Sequence, residues 1–187
     1  MMPAEENCLV LDYLPKGRGS SFKKEPLAQL IGIEFFTLLE VVPKTELNAM
    51  EQVYVGKEER DKIEFIKRRI KYKELTSTAL AELSNAVKKI VEDNEQKYVE
   101  FFNKAGSITI RRHRLELLPS LGKKHLKSIL EERDYKKFES FKQIEERIDL
   151  MPNPVQVIVK RIIAELKEED IKHYLFVRPP TVEKKFR

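Results

Sequence analysis

Cysteine, tryptophan and histidine are scarce in this chain, which has one, none and three of them in 187 residues. Cys8 cannot form a disulfide within the chain, so a reducing cytoplasm is the expected location. The histidines are far apart and no cysteine cluster accompanies them, so we expect no zinc site. No apolar run approaches the roughly 18–20 residues that span a bilayer, and the acidic N-terminus is unlike a signal peptide. We therefore expect no contact with a membrane.

The residue patterns of common enzymes are also missing. Gly56-Lys57-Glu58 has neither the first glycine nor the hydroxyl of a phosphate-binding loop. Acidic clusters at 58–61 and 131–134 have basic neighbours, so they indicate solvated faces rather than metal ligands. We accordingly expect no enzyme, no metal and no cofactor, and a hidden enzyme is the weakest functional hypothesis. The charged fraction of 36% is rich in Lys and Glu, which is typical of thermophile proteins.

Positive charge is concentrated in one stretch of the sequence. The net charge of the chain is +5, and residues 107–130 alone account for it, because Glu116 is their only acidic residue. A second excess of cations lies at 67–73. Clusters of this kind are typical of proteins that bind a phosphate backbone. The cations are Arg111, Arg112, Arg114, Lys123, Lys124 and Lys127 in the first cluster, and Lys67, Arg68, Arg69, Lys71 and Lys73 in the second.

Hydrophobic patterning predicts a β-rich first third. Apolar, β-branched runs predict strands at 8–14, 35–42 and 52–55, whereas residues 26–31 fit a short helical turn. Residues 63–72 fit either a helix or a strand, and we favour the strand because the segment is rich in β-branched and aromatic residues. The solvated face of that strand holds Lys67, Arg69, Lys71 and Lys73.

The character of the sequence changes at Thr76. Hydroxyls at 76–78 can cap a helix, and apolar residues then recur at helical spacing to about residue 168. Residues 173–177 again have strand character, and a strand there could return to the first domain's sheet, since a lone strand is unstable. The expected organisation is α+β: a small β domain over 1–75, linking helices over 76–106, a helical domain over 107–168, and a late strand with a basic tail over 169–187.

The helical region contains an internal repeat. At an offset of 33 residues (119 to 152), Pro119 falls on Pro152 and flanking apolar positions coincide. Each copy is predicted to be an apolar helix, a tight turn and a second apolar helix, and two such hairpins can bury each other's apolar faces. The first turn, Leu118-Pro119-Ser120-Leu121-Gly122, resembles the helix-hairpin-helix motif. The second, Met151-Pro152-Asn153-Pro154-Val155, has lost both glycines, so we expect it to be structural.

The first turn departs from that motif at Ser120, where the motif has Gly and where a positive φ is harder for Ser. Gly122 lets a ligand approach the backbone, and the following helix points N–H groups and its positive dipole end at a phosphate. Lys123 and Lys124 stand in the first turn of this helix, where cations are unfavourable unless an anion is present. These two lysines are therefore the main candidates for phosphate contact.

The whole chain also resembles an archaeal family known as domain of unknown function six-fifty-five. The resemblance implies an OB-like β-barrel in the first third joined to tandem helix-hairpin-helices, and a role in RNA binding. OB-like barrels often bind single strands on a basic, aromatic face, and the candidates for such a face are Tyr54, Lys67, Arg69, Lys71 and Tyr72. For the two tyrosines, a place in the core is an equally good interpretation. The segments that carry the resemblance are Leu-Asp-Tyr-Leu-Pro (11–15), Val-Gly-Lys-Glu-Glu-Arg-Asp-Lys-Ile (55–63), Leu-Thr-Ser-Thr-Ala (75–79), Leu-Glu-Leu-Leu-Pro (115–119) and Tyr-Leu-Phe-Val (174–177).

These observations favour a cytoplasmic, non-enzymatic protein that binds nucleic acid, with RNA preferred and a role in translation or RNA processing. The alternatives are a duplex-DNA-binding module of replication or repair, and a scaffold whose basic clusters meet an acidic protein. We expect a monomer whose main partner is RNA, with the ribosome or RNA-processing proteins as further candidates. The expected nucleic-acid-binding residues are Ser120, Gly122, Lys123, Lys124, Lys127, Arg111, Arg112, Arg114, Lys67, Arg69 and Lys71.

Overall fold

The computed structural model describes residues 4–19, 24–168 and 170–179, which form two compact units. The first unit comprises the described residues up to Leu83 and those from Glu165 onward, and the second runs from Ser84 to Ala164. The first unit holds the main β-sheet and the second is mostly helical, so the expected α+β class is confirmed. No helix in the described ranges is both long and apolar enough to cross a bilayer.

The sheet of the first unit has five antiparallel strands. In chain order they are β1 (Asn7–Leu14), β2 (Leu27–Gly32), β3 (Leu38–Pro43), β4 (Gln52–Tyr54) and β5 (Ile63–Arg69). Their order in the sheet is β4-β1-β2-β3-β5. The sheet curls into a half-barrel, which agrees with the OB-like prediction. β4 and β5 are its two edges and are not paired with each other, so the described barrel is open between them.

The core of the first unit forms because alternate residues of a strand face the same side. Cys8 and Val10 of β1 belong to one buried cluster with Ala28 and Leu30 of β2. All of β2 is buried, so this central strand is covered on both faces. Burial raises the pKa of the Cys8 thiol, which therefore acts as a small apolar core residue.

Residues 26–31 form a strand and not the helical turn that the sequence predicted. Leu, Ala and Gln favour a helix in isolation. Here β2 lies between β1 and β3, and only strand pairing satisfies its buried backbone groups. The side-chain amide of the buried Gln29 donates to the Glu74 carbonyl at 3.1 Å and accepts the Thr76 N–H at 2.8 Å. The surroundings therefore override local propensity in this segment.

The ambiguous segment 63–72 contains the strand that we favoured. β5 pairs with β3, and after the buried Ile63 its side chains are all exposed. Its opposite edge is unpaired in the described chain, which explains why Phe65 remains 44% exposed. The strand ends at Arg69, before Lys71 and Lys73, because a 3₁₀ turn follows at Tyr72–Glu74.

The remaining elements run from residue 77 to residue 167. Thr76 begins the first helix: its Oγ1 accepts the Ala79 N–H at 3.1 Å and donates to Asp12 Oδ2 at 2.6 Å, which confirms the predicted cap. The boundaries between the units fall within the first and last helices. The elements are α1 (Ser77–Asp93), α2 (Glu95–Lys104), β6 (Ser107–Thr109), β7 (Arg112–His113), a 3₁₀ helix (Arg114–Leu117), α3 (Lys123–Tyr135), α4 (Phe141–Arg147) and α5 (Pro154–Lys167).

The structure corrects two expectations for residues 107–118. Strands β6 and β7 form a small antiparallel ribbon in a region that was predicted to be helical, because β-branched residues at 108–110 favour extended backbone. The element before the Pro119 turn is a 3₁₀ helix of four residues and not a full helix. Leu118 ends it in an extended conformation (φ −75°, ψ 130°), as the residue before a proline prefers.

The expected strand at 173–177 is not a strand, although the segment returns to the first unit. The Glu165 carboxylate accepts the backbone N–H groups of Leu175, Phe176 and Val177 at 2.7–3.0 Å. The Arg178 N–H donates to the Phe35 carbonyl at 3.0 Å. Because a carboxylate satisfies these donors, the segment is held without joining the sheet. The basic tail at 184–187 lies outside the described residues.

Candidate nucleic-acid interface

The turn before α3 places Ser120 in a left-handed conformation. Ser120 has φ 66°, a value that suits glycine, and its side chain is exposed. On either side, Leu118 and Leu121 are buried and anchor the turn to the core of the second unit. The departure from the motif noted in the sequence therefore falls where the backbone requires a positive φ. The glycine-like conformation is kept by a serine.

Gly122 is the N-cap of α3 and has an extended backbone (φ −97°, ψ −176°). A Cβ at this position would meet no atom within 4 Å, so space beside the backbone is open. Its N–H points to His125 Nδ1 at 3.4 Å, and His125 Nε2 lies 3.1 Å from the Leu150 carbonyl. The glycine is thus not needed for its φ or for packing within the described chain. The effect of this glycine is therefore to leave room for another group to approach the backbone.

The N-terminus of α3 carries positive charge and no acidic residue. Within the described ranges the His125 ring takes the N–H of the N-cap Gly122, but no side chain accepts the N–H groups of the first turn itself, and no acidic residue lies in that turn. Lys123 and Lys124 are exposed and form neither an ion pair nor a side-chain hydrogen bond within the described ranges. Lys127, one turn further on, faces Glu131 at 3.7 Å. Free N–H groups, the helix dipole and two unpaired ammonium groups therefore all favour an anion at this end.

The turn before α5 lacks these features. Asn153 caps α5, since its Oδ1 accepts the Gln156 N–H at 3.0 Å, and Pro154 occupies the first helical position without an N–H. The N-caps Gly122 and Asn153 are 31 residues apart (122 to 153), whereas Pro119 and Pro152 are 33 apart. The two prolines are therefore not equivalent in the structure, because the two turns differ in length.

The β6–β7 ribbon presents further cations beside the 3₁₀ helix. Arg111, Arg112 and Arg114 are exposed, and none of their guanidinium groups forms an ion pair with a described carboxylate. Ile110, at the tip of the ribbon, is fully exposed. The sequence analysis missed Ile110 because an isoleucine in a predicted helix is expected to lie in the core. Its only sequence signal is its position next to a pair of arginines.

His113 has a structural position close to these cations. Its ring Nδ1 accepts the backbone N–H of Leu115 at 3.1 Å, and the backbone N–H of His113 donates to Glu116 Oε2 at 2.7 Å. Burial lowers the pKa of His113 below its ordinary value, and the charge of Arg133 lowers the pKa further. The neutral ring that this hydrogen bond requires is therefore favoured, and it fixes the start of the 3₁₀ helix.

The three candidate residues in or just after β5 each interact with a neighbouring group of the protein. Lys67 Nζ lies 3.0 Å from Glu25, and Lys71 Nζ lies 3.3 Å from Glu168. Arg69 donates to the Arg178 carbonyl at 3.0 Å. These residues belong to the first unit, whereas the candidates around α3 belong to the second. Of the eleven predicted residues, the structure brings those on the β6–β7 ribbon, the 3₁₀ helix, the turn and α3 into one unit.

Comparison with known proteins places the chain among uncharacterised archaeal proteins. A family model described as a protein of unknown function (DUF655) matches residues 4–178. An uncharacterised protein of Methanocaldococcus jannaschii is 47% identical over 177 residues, which cover 93% of this chain and 80% of that protein. The crystal structure of a DUF655 protein from Archaeoglobus fulgidus is similar with a TM-score of 0.86 and 43% identity, covering 93% of this chain and 100% of that one. The chain therefore belongs to the DUF655 family.

Proposed function

We propose that this protein is a non-enzymatic RNA-binding protein that holds the phosphate backbone at the N-terminus of α3, as a helix-hairpin-helix does. The observation that carries the proposal is the combination of N–H groups in the first turn of α3 that no side chain accepts, an open Gly122 and the unpaired Lys123 and Lys124. A phosphate oxygen there accepts backbone N–H groups and meets two ammonium groups.

The stability of α3 supports this reading. Cations in the first turn of a helix oppose its dipole, at a cost of about 0.3–1 kcal/mol each when exposed. Two adjacent lysines at such a position are unfavourable for the free protein, and a bound anion reverses their effect. Local rules that a sequence breaks without compensation often mark functional positions.

The extent of the basic surface favours a polymer over a small anion. Arg111, Arg112 and Arg114 stand on elements adjoining the same turn in sequence, and an extended phosphate backbone offers an acceptor to each cation. Contacts of this type position a nucleic acid without reading its bases. RNA is preferred because the OB-like half-barrel of the first unit is a fold that often binds single strands. Duplex DNA remains the competitor to be tested.

The direct test replaces both lysines, as Lys123→Ala with Lys124→Ala. The matched control is Lys88→Ala with Lys89→Ala, an exposed adjacent pair on α1 that is already paired with Glu92 and Asp93. Both variants lose two charges, but only the first loses the proposed phosphate contacts. We expect about a tenfold or larger loss of affinity for a structured RNA in the first variant, measured by fluorescence anisotropy, and a small loss in the control. Equal losses would remove α3 from the interface.

Gly122→Ala tests the close approach without changing charge. The new Cβ enters open space and the backbone is extended, so the fold should be retained with a loss of at most about 1 kcal/mol from the weaker cap. A phosphate against the Gly122 backbone would be displaced by the methyl group, so affinity should fall. Competition of duplex DNA against the bound RNA in the wild-type protein then decides between the two nucleic acids.

A further inference from the structure

Leu150, in the turn between α4 and α5, combines an unusual backbone with an unusual exposure. Its φ of 52° is left-handed and favours glycine, and its side chain is 86% exposed. A single exposed leucine is common on protein surfaces, but this one gives no packing in return for its unfavourable backbone. The turn is anchored on both sides, because Ile148 before it and Val155 after it are buried. Residues that combine strain with exposure in an anchored segment are often found at functional sites.

His125 connects this turn to the start of α3. Its Nε2 lies 3.1 Å from the Leu150 carbonyl oxygen, and its Nδ1 lies 3.4 Å from the Gly122 nitrogen. A carbonyl oxygen can only accept, so Nε2 carries the proton and Nδ1 is able to accept the Gly122 N–H. One imidazole ring therefore spans the distance between the backbones of Leu150 and Gly122, which both belong to the second unit. The exposed leucine thus lies beside the proposed phosphate contact.

The charges around the turn indicate which part of a nucleotide could meet Leu150. Asp149 is exposed and directly precedes Leu150, so it would repel a phosphate at this turn. Lys123 and Lys124 are at the other end of the His125 bridge, in the first turn of α3. A nucleotide bound across the bridge would therefore keep its phosphate at α3. Its base, which is uncharged and has an apolar face, would lie toward Leu150.

Only an unpaired nucleotide can offer the face of its base to a side chain. In a continuous RNA duplex the bases are stacked on one another, and a protein meets mainly phosphates and 2′-hydroxyl groups. Single-stranded loops, bulges and ends expose base faces that can pack against side chains. A phosphate contact with an exposed apolar side chain beside it therefore fits a single strand better than a duplex.

We propose that Leu150 forms an apolar base-binding position beside the α3 phosphate contact, so that this site takes an unpaired nucleotide of an RNA. The inference rests on the proposed function, because the phosphate of that nucleotide is the one held at α3. An aliphatic side chain against the face of a base adds affinity without distinguishing one base from another, so the site selects unpaired RNA and not a sequence.

The test compares a short single-stranded RNA with the same strand annealed to its complement, each titrated with the full-length protein by fluorescence anisotropy. Leu150→Ala removes most of the apolar side chain and keeps a Cβ at the left-handed position. We expect affinity to fall about five- to tenfold for the single strand and less than about twofold for the duplex. Tyr135→Ala is the matched control and should leave both affinities unchanged, since Tyr135 is 89% exposed at the far end of α3.

Leu150→Gly separates a role in binding from a role in folding. Glycine accepts the left-handed backbone, so this variant should unfold at a higher urea concentration than the wild type and should still lose affinity for the single strand. A lower unfolding midpoint would show that the leucine stabilises the fold, and would overturn the proposal. Unchanged single-strand affinity in Leu150→Ala would also overturn it, as would an equal loss for the duplex or an equal loss in Tyr135→Ala.

The lysine variant distinguishes failure of this position from failure of the phosphate site. Lys123→Ala with Lys124→Ala should weaken the single strand and the duplex alike, because both present phosphates. If this variant loses affinity and Leu150→Ala does not, only the base-binding position is wrong. If the lysine variant binds both RNAs like the wild type, the phosphate contact at α3 is wrong and the base-binding position fails with it.

Discussion

Ser120 has a backbone conformation that favours glycine over serine. Its φ of 66° costs an L-residue about 1–2 kcal/mol relative to glycine, and its exposed side chain offers no packing in return. Replacing Ser120 by glycine removes this strain, but part of the resulting gain in stability is lost because glycine is more flexible in the unfolded chain. We expect Ser120→Gly to raise the free energy of unfolding by about 0.5–1 kcal/mol, measured by urea denaturation.

Ser120→Ala is the control for this prediction. Alanine keeps the Cβ and therefore the strain, while it removes the hydroxyl. If alanine stabilised the protein as much as glycine does, the hydroxyl and not the backbone would be the cause.

The lowered pKa of His113 predicts that the free energy of unfolding depends on pH. Its folded-state pKa is lowered, so the unfolded chain binds the proton more readily and the free energy of unfolding falls as pH drops through the ordinary value of 6.5. Asn can also accept the Leu115 N–H but does not titrate. We therefore expect His113→Asn to show a smaller loss of stability than the wild type between pH 7.5 and 5.5, in urea denaturation at both pH values. Identical losses in the two proteins would argue against a titrating His113.

At the scale of elements, the β6–β7 ribbon presents an apolar residue where proteins usually expose a polar one. Ile110 is fully exposed and precedes Arg111 and Arg112, and apolar side chains in such a setting can insert between bases. We expect Ile110→Ala to leave the melting temperature unchanged and to weaken RNA binding by a few-fold. Tyr135→Ala is the control, because Tyr135 is 89% exposed and ends α3, at the opposite end of that helix from Lys123 and Lys124. A similar loss in both variants would show that exposed apolar area alone is responsible.

The helices that follow the two proline-containing turns also differ in how they begin. α5 is capped by Asn153 and begins with a proline, so its N-terminus is satisfied by its own sequence. α3 has no such cap and carries lysines instead. The contrast explains why only one of the two turns is a candidate for binding an anion.

At the scale of the whole molecule, the distribution of charge predicts how binding responds to salt. Each phosphate contact contributes about 0.7–0.9 to the slope of log affinity against log salt. Lys123→Ala with Lys124→Ala should therefore reduce the slope by about 1.4–1.8. Lys67→Ala should change it less, because Lys67 is already paired with Glu25. A larger change in the slope for Lys67→Ala than for the double lysine variant would indicate that the main nucleic-acid interface lies on the sheet.

Sequence reasoning found features that depend on local pattern. The strand at Asn7–Leu14, the cap at Thr76 and the cation-rich stretch at 107–130 follow from alternation, hydroxyl position and charge count. The sequence was less informative where contacts with residues distant in the chain determine the conformation of a segment. The helix formers of β2 became a central strand, and the strand-like segment at 173–177 was held by a carboxylate instead of a sheet.

The sequence by itself determined the α+β class, the concentration of positive charge around α3 and the position of the turn at 118–122, because these depend on residues close together in the chain. Only the tertiary structure decided the positive φ of Ser120 and the exposure of Ile110, since buried leucines and strand pairing set them. The contact between Arg69 and the Arg178 carbonyl is the clearest case. The two arginines are 109 residues apart in the chain, and only the return of the C-terminal segment to the first unit places them together.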